Sequence, residues 1–189
     1  MKTAFIFLLI GLASCDLLTT RDSEEPTTSG NNIIPATTPD ILFNNFKASL
    51  EDKILENYLA SFVDGSFLKK SFKYFPSAGS NSQYPALNNW SIESERQYFR
   101  NLKSISSQGK SITLSLFNSS NTTFGDSAIY QFEYKLTLVA SDQSISGDYT
   151  GNTQFKIYLD SRNQWVIVEW NDFRKNNSKS WSDLKGRLY

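Results

Sequence analysis

Apolar residues recur along this chain with two periods, and the change falls near Gly109. Ahead of it, Ile41, Leu42, Phe46, Leu50, Ile54, Leu55, Tyr58, Leu59 and Phe62 recur at spacings of three and four. Such spacing sets one apolar stripe along a helix. Thr38 is placed to cap its start, Pro39 fits the first helical position, and Asp40 favours the positive helix end. The stretch 39–63 reads as one helix, or as two short ones broken near Asp52-Lys53, and Gly65 ends it. SFKYFPS, residues 71–77, reads as a short strand stopped at Pro76. AGSNSQYPALNN shows no period and reads as a loop. NWSIESERQYFRNLKSIS predicts a second helix, with Ser91 as cap, Glu93 and Glu95 in the first turn, and Lys103 near the end. Its apolar face is Ile92, Tyr98, Phe99, Leu102 and Ile105.

Beyond Gly109 the period is two. SITLSLFN, AIYQFEYKLTLVA, NTQFKIYLD and QWVIVEWNDF predict four strands. In the second of these, Tyr130, Phe132, Tyr134, Leu136 and Leu138 share one face and Gln131, Glu133, Lys135 and Thr137 the other. Asp160-Ser161-Arg162-Asn163 is a tight hairpin turn. Residues 118–127 and 141–149 read as longer polar loops. Four strands without intervening helices make an antiparallel meander. Helices first and strands after predict an α+β domain, with one helical layer on a curved sheet.

Composition narrows the chemistry. There are 19 basic residues, 19 acidic residues and no histidine. No basic excess exists to grip a phosphate backbone, so nucleic acid is not an expected partner. Without histidine there is no Ser-His-Asp or Cys-His catalysis and no imidazole zinc ligand. No cofactor and no metal are predicted. An enzyme on this chain works with Asp, Glu, Lys, Tyr, Ser or Thr.

The start reads MKTAFIFLLIGLAS, with Lys2 as a positive n-region and Phe5 to Leu12 as an apolar core. That core is too short for a membrane span, which needs ~20 apolar residues, and it fits a secretory signal. Leu12-Ala13-Ser14-Cys15 resembles the bacterial lipobox. The resemblance implies a signal peptide over 1–14, cleavage between Ser14 and Cys15, and acyl chains such as palmitate on Cys15. Two or more such chains hold a protein stably at a bilayer. The plain alternative is an ordinary signal peptide followed by a free thiol. Removing residues 1–14 removes only Lys2 from the charged set, leaving 18 basic against 19 acidic residues. Residues 16–38, rich in Thr, Ser, Asn, Pro and acids, read as a flexible tether spanning about 26 Å r.m.s.. The single domain is then 39–189.

The order of elements resembles the nuclear transport factor 2-like superfamily, which includes ketosteroid isomerases and SnoaL-like proteins. The order is N-terminal helices, a short strand, another helix, and a meander ending in the Trp-containing strand 164–172. The resemblance implies a cone, also called cystatin-like, in which helices wrap a bent sheet around a cavity. It extends to isomerases and dehydratases as well as to non-catalytic binding domains, so fold alone does not choose a reaction. No local motif carries the family's catalytic residues onto this chain, and Asp40 and Asp172 correspond to active-site elements only by analogy. The lipobox, the tether and TPDILFNNFKASLEDKILENYLASF together resemble small envelope lipoproteins of the Bacteroidota. In that setting the acidic Ser23-Glu24-Glu25 is similar to a surface-export segment and favours the outer membrane. Asp16 alone resembles the enterobacterial inner-membrane signal.

Alternation along 165–172 puts Trp165, Ile167 and Glu169 on one face and Val166, Val168 and Trp170 on the other. If the first set faces the helices, Glu169 is a carboxylate inside the cone, where burial would raise its pKa and make it a base. Otherwise a bulge turns it to solvent, or it pairs with a neighbouring Lys or Arg. Asp172 is the second candidate. Tyr58, Tyr98, Tyr130, Tyr134 and Trp165 are candidates to line a ligand pocket, against ordinary core packing. Two-sided apolar strands also point to a homodimer through the sheet, with Phe117, Ile129, Val139 and Trp170 as its patch. An assembly subunit would need exposed aromatics in 118–127 or 141–149. The expected role is a lipid-anchored envelope domain that binds a small ligand or an envelope protein. The alternative is an isomerase- or dehydratase-like enzyme.

Overall fold

The computed structural model describes residues 33–109 and 111–189. The signal peptide, Ser14, Cys15 and most of the tether fall outside them. The elements run α1 (Pro39–Glu51), α2 (Leu55–Ala60), β1 (Lys73–Phe75), α3 (Ser80–Gln83), a 3-10 turn (Pro85–Asn89), α4 (Ile92–Ile105), β2 (Ile112–Phe124), β3 (Ser127–Leu138), β4 (Gly147–Leu159), β5 (Trp165–Arg174) and α5 (Trp181–Leu188). The fold is α+β, as the pattern implies.

The first helical stretch is two helices. Thr38 Oγ1 accepts from the Ile41 N–H at 3.3 Å, and Pro39 opens α1. Lys53 stands at φ +56°, the left-handed conformation, and this breaks the helix where the sequence placed the break. The second helix ends at Ala60, ahead of Gly65, because the chain then pairs with β5: Val63 N–H donates to Ile167 O at 3.0 Å. Ser91 caps α4, its Oγ accepting from the Ser94 N–H, and Ser94 returns a bond to the Ser91 N–H. The segment read as a loop at 78–89 contains α3 and the 3-10 turn, both too short to show a period.

The sheet has the order β1-β5-β4-β3-β2. The last four strands form the antiparallel meander, and β1 joins β5 in parallel, so the sheet is mixed. Two loops are shorter than the sequence suggests. Residues 118–124 continue β2 to a turn at Gly125-Asp126, and β4 already begins at Gly147. The pattern fails over 118–124 because these residues project past the core, so both faces are exposed, with Phe124 the one apolar side chain among polar ones. The tether is shorter as well. Trp165 N–H donates to Ala36 O at 2.7 Å, Asn45 Nδ2 donates to Ile34 O at 2.6 Å, and Ala36 is buried.

Helices cover one face of the sheet. Leu42, Phe46 and Leu50 of α1, Tyr98, Phe99 and Leu102 of α4, and Tyr134, Leu136, Phe155, Ile157 and Trp170 of the strands are sealed from water. The other face carries Gln131, Glu133, Lys135, Asn152, Gln154 and Lys156, half-buried or exposed. Lys135 pairs there with Asp148 at 2.9 Å and Lys175 with Glu133 at 2.6 Å. The apolar patch expected for a sheet-to-sheet dimer therefore loses Trp170, which packs inside at 0 % exposure. Phe117 and Val139 remain exposed, and Ile129 is half-buried. Among the described residues no helix is long and apolar enough to cross a membrane.

Candidate functional site

A bulge decides which carboxylate enters the cone. Ile157 pairs with Ile167, but Lys156 pairs with Glu169, so Val168 is the extra residue in β5. Alternation fails at that point. Ile167 and Trp170 end on the inner face, while Glu169 stands outside, across from Lys156 at 3.9 Å. Glu169 is thus a half-exposed partner of a lysine and not a base inside the cone. Asp172, three residues on, points inward and is 1 % exposed.

Asp172 meets only neutral donors. Tyr134 Oη donates to its Oδ1 at 2.7 Å, Ser182 N–H donates to Oδ2 at 2.8 Å, and Ser182 Oγ donates to Oδ2 as well. Burial pushes the Asp172 pKa up, and these bonds pull it back in part. The same Tyr134 oxygen accepts from the Trp181 N–H at 2.7 Å, which ties the first turn of α5 to β3. Burial and the Asp172 carboxylate raise the Tyr134 pKa, so Tyr134 stays a donor.

A second centre lies beside the first. Lys185 of α5 and Glu95 of α4 form an ion pair with both side chains wholly buried. Tyr58 Oη donates to Glu95 Oε2 at 2.9 Å and Trp90 Nε1 to Oε1 at 2.8 Å. Four rings surround the ammonium: Trp170 at 3.9 Å, Tyr74 at 4.3 Å, and Trp90 and Tyr98 each at 5.1 Å from their centroids. Desolvation lowers the Lys185 pKa to about 8, against the attraction of Glu95 and Asp172. Ring faces replace part of the hydration that the ammonium has lost. Trp170 Nε1 finds no acceptor among the described residues, so this indole serves the cation through its π face.

Helix α5 seals this interior, and it was not foreseen from the sequence. Trp181 stands at 88° to Trp170 with centroids 4.6 Å apart, and its Nε1 donates to Tyr98 Oη at 2.9 Å. Leu184 and Leu188 are buried with it. The signal was present: Ser180 and Asp183 form a reciprocal cap, followed by apolar positions at 181, 184 and 188. Gly186 lets the helix approach, because a Cβ there would stand 2.2 Å from Tyr84 Cγ.

The five expected pocket residues do not share a cavity. Tyr58, Tyr98 and Tyr134 are packed into the interior at 0 or 1 % exposure, which is the core-packing alternative. Tyr130 is half-buried beside Phe43, and with Asp40 and Lys47 it lines a surface cleft of about 480 Å³. Trp165 is half-buried where β5 begins. Asp172, Glu95 and Lys185 line neither this cleft nor those near Gln83–Arg187, Asn118–Phe173 and Glu56–Arg162. No group of three or more potential metal ligands occurs among the described residues.

No protein-family model matches the chain, and no curated protein matches it. Solved structures do. A protein of Novosphingobium aromaticivorans, provisionally named an aromatic ring hydroxylase, superposes with TM-score 0.57 at 14% identity over 77% of this chain and 92% of its own. A provisionally named scytalone dehydratase of the same species gives 0.54 at 9% identity, over 75% and 89% of the two chains. A provisionally named dehydratase of the NTF2-like family from Streptomyces avermitilis gives 0.52 at 10% identity, over 72% and 93%. The fold is nuclear transport factor 2-like. At these identities the likeness extends to the fold and not to the chemistry.

Proposed function

We propose that this chain is a lipid-anchored protein of the bacterial cell envelope, held at the outer membrane by acylated Cys15, whose domain binds a ligand or protein without catalysis. One observation carries the non-catalytic part. The interior is filled by the protein's own helix α5, and every oxygen of Asp172 and Glu95 is occupied by an internal donor or cation. A general base needs an oxygen that a substrate proton can reach, and a substrate needs room. The sequence of residues 1–15 supports the anchor. Acyl labelling of wild type and Cys15→Ala, followed by membrane fractionation, tests it. Label and membrane retention are expected in wild type only, and label retained in the variant overturns the anchor.

A second reading has a specific observation behind it. Asp172 and Tyr134 are 2.7 Å apart, a carboxylate and a phenol of the kind an isomerase- or dehydratase-like site employs. That reading requires α5 to leave. Hydrogen exchange at the Ser182 N–H separates the two. Exchange only through global unfolding supports the binding domain, while fast exchange through a local opening of α5 favours the enzyme.

A further inference from the structure

Charge is unevenly placed in this neutral chain. Segment 174–187 holds five cations (Arg174, Lys175, Lys179, Lys185, Arg187) and one acid, Asp183, a net of five minus one, or +4. Lys185 is taken by Glu95 inside, and Lys175 by Glu133 on the outer face. The other three converge on one cleft of about 450 Å³, together with Gln83, Asn177 and Asp183. Its volume lies within the range of small-molecule sites, roughly 300–1,000 Å³.

The three cations are not equally satisfied. Arg174 pairs with Asp183 at 2.5 Å and also donates to Ser80 Oγ at 3.0 Å. Lys179 and Arg187 form no ion pair among the described residues. Both turn to the same neutral atom, the Ser144 carbonyl oxygen, at 3.4 Å from Lys179 Nζ and 2.7 Å from Arg187 Nη1. Arg187 Nη2 adds a bond to Ser144 Oγ at 2.8 Å. Asp142 feels the charge of Arg187 without pairing to it, and its Oδ1 accepts from the Ser144 N–H at 2.8 Å. Two exposed cations sharing one uncharged acceptor repel each other, and Asp142 and the Tyr149 ring, 5.9 Å from Lys179 Nζ, offset them only in part. An oxyanion in the cleft replaces a weak common acceptor with a strong one.

We propose that this cleft binds a small phosphate-bearing anion, with Lys179 and Arg187 as its charge-assisted donors and the amides of Gln83 and Asn177 as neutral ones. The proposal rests on the reading of the domain as a binding protein and names its ligand class. It is independent of the lipid anchor, so a negative titration leaves the acyl-labelling result standing. The test is calorimetric titration of the full chain with inorganic phosphate and with glucose 6-phosphate, at constant ionic strength, with glucose as the uncharged control. Saturable one-to-one binding of either phosphate, and none of glucose, is expected. Tighter binding of the ester assigns the rest of the cleft to its organic part, whereas equal binding assigns the site to free phosphate. Lys179→Gln with Arg187→Gln should weaken the phosphate at least about tenfold, the scale of a lost charge-assisted bond. Where Arg187→Gln loosens the loop 141–146, Lys179→Gln alone keeps the test open, because it gives up a 3.4 Å bond and a 5.9 Å approach to the Tyr149 ring. No saturable binding, or equal affinity in wild type and variants, overturns the proposal.

Discussion

Glu95 and Asp172 share one sealed interior and are stabilised by different means. Glu95 has a cation against it and two neutral donors. Asp172 has neutral donors alone, from a tyrosine, a serine hydroxyl and a backbone N–H. A buried charge stripped of its counter-ion is far more costly than a buried group that loses one neutral hydrogen bond. The two centres should therefore respond differently to mutation, although both are closed by α5.

The largest effect is expected at the ion pair. Lys185→Met leaves Glu95 buried and uncompensated, and should lower stability by about 3–5 kcal/mol in urea unfolding. Adding Glu95→Gln should restore much of that loss, because the uncompensated charge disappears. If Lys185→Met costs less than 1 kcal/mol, the contrast between the centres fails.

Gly186→Ala attacks the seat that both centres share. Its Cβ meets Tyr84, so Tyr84 or α5 must shift, and overpacking of this kind costs roughly 1–3 kcal/mol. A shift in the Trp181 environment, read by near-ultraviolet circular dichroism, should accompany it. Asp172→Asn is expected to cost less than Lys185→Met, about 1–3 kcal/mol, because its NH2 group must replace either Oδ1, which accepts from Tyr134, or Oδ2, which accepts both bonds from Ser182. A larger loss than at Lys185 would invert the comparison.

The smallest effect is a pH slope. Lys185 has a folded pKa of about 8, below its unfolded value near ~10.4. Between these values the unfolded chain binds more protons than the folded one, so this group makes stability rise with pH. Above ~10 the buried tyrosines oppose it, since their raised pKa values keep them protonated only in the folded state. Unfolding free energy should therefore climb from about pH 8 toward 10, and Lys185→Met should flatten that climb. Asp172 works at the other end. Its raised pKa makes its contribution greatest below the ordinary carboxylate range, and stability is lost as pH rises through the folded value.

Much of the fold was legible because periodicity is local. The stripe of α1 and α2, the Ser91 cap and the alternating face of β3 each depend on near neighbours in sequence. The Asp160–Asn163 turn was legible too, since Asp160 accepts from the N–H groups of Arg162 and Gln164 within four residues. The candidate site was legible only in fragments. Glu95 read as an ordinary first-turn acid, since its partner Lys185 lies 90 residues away. For Glu169 the sequence left an inward carboxylate and an outward one, turned by a bulge or paired with a lysine, both open, since alternation cannot show a bulge that exists only against β4.

By itself the sequence determined the class of fold, the absence of imidazole chemistry and the order of the longer elements through β5, because these follow from residue type and short-range spacing. The tertiary structure decided which carboxylates are buried, which cation meets them and whether the cone is open. Those outcomes depend on strand register and on one short helix that returns from the end of the chain. Neither the register nor the docking of that helix has a local cause that a single segment could reveal.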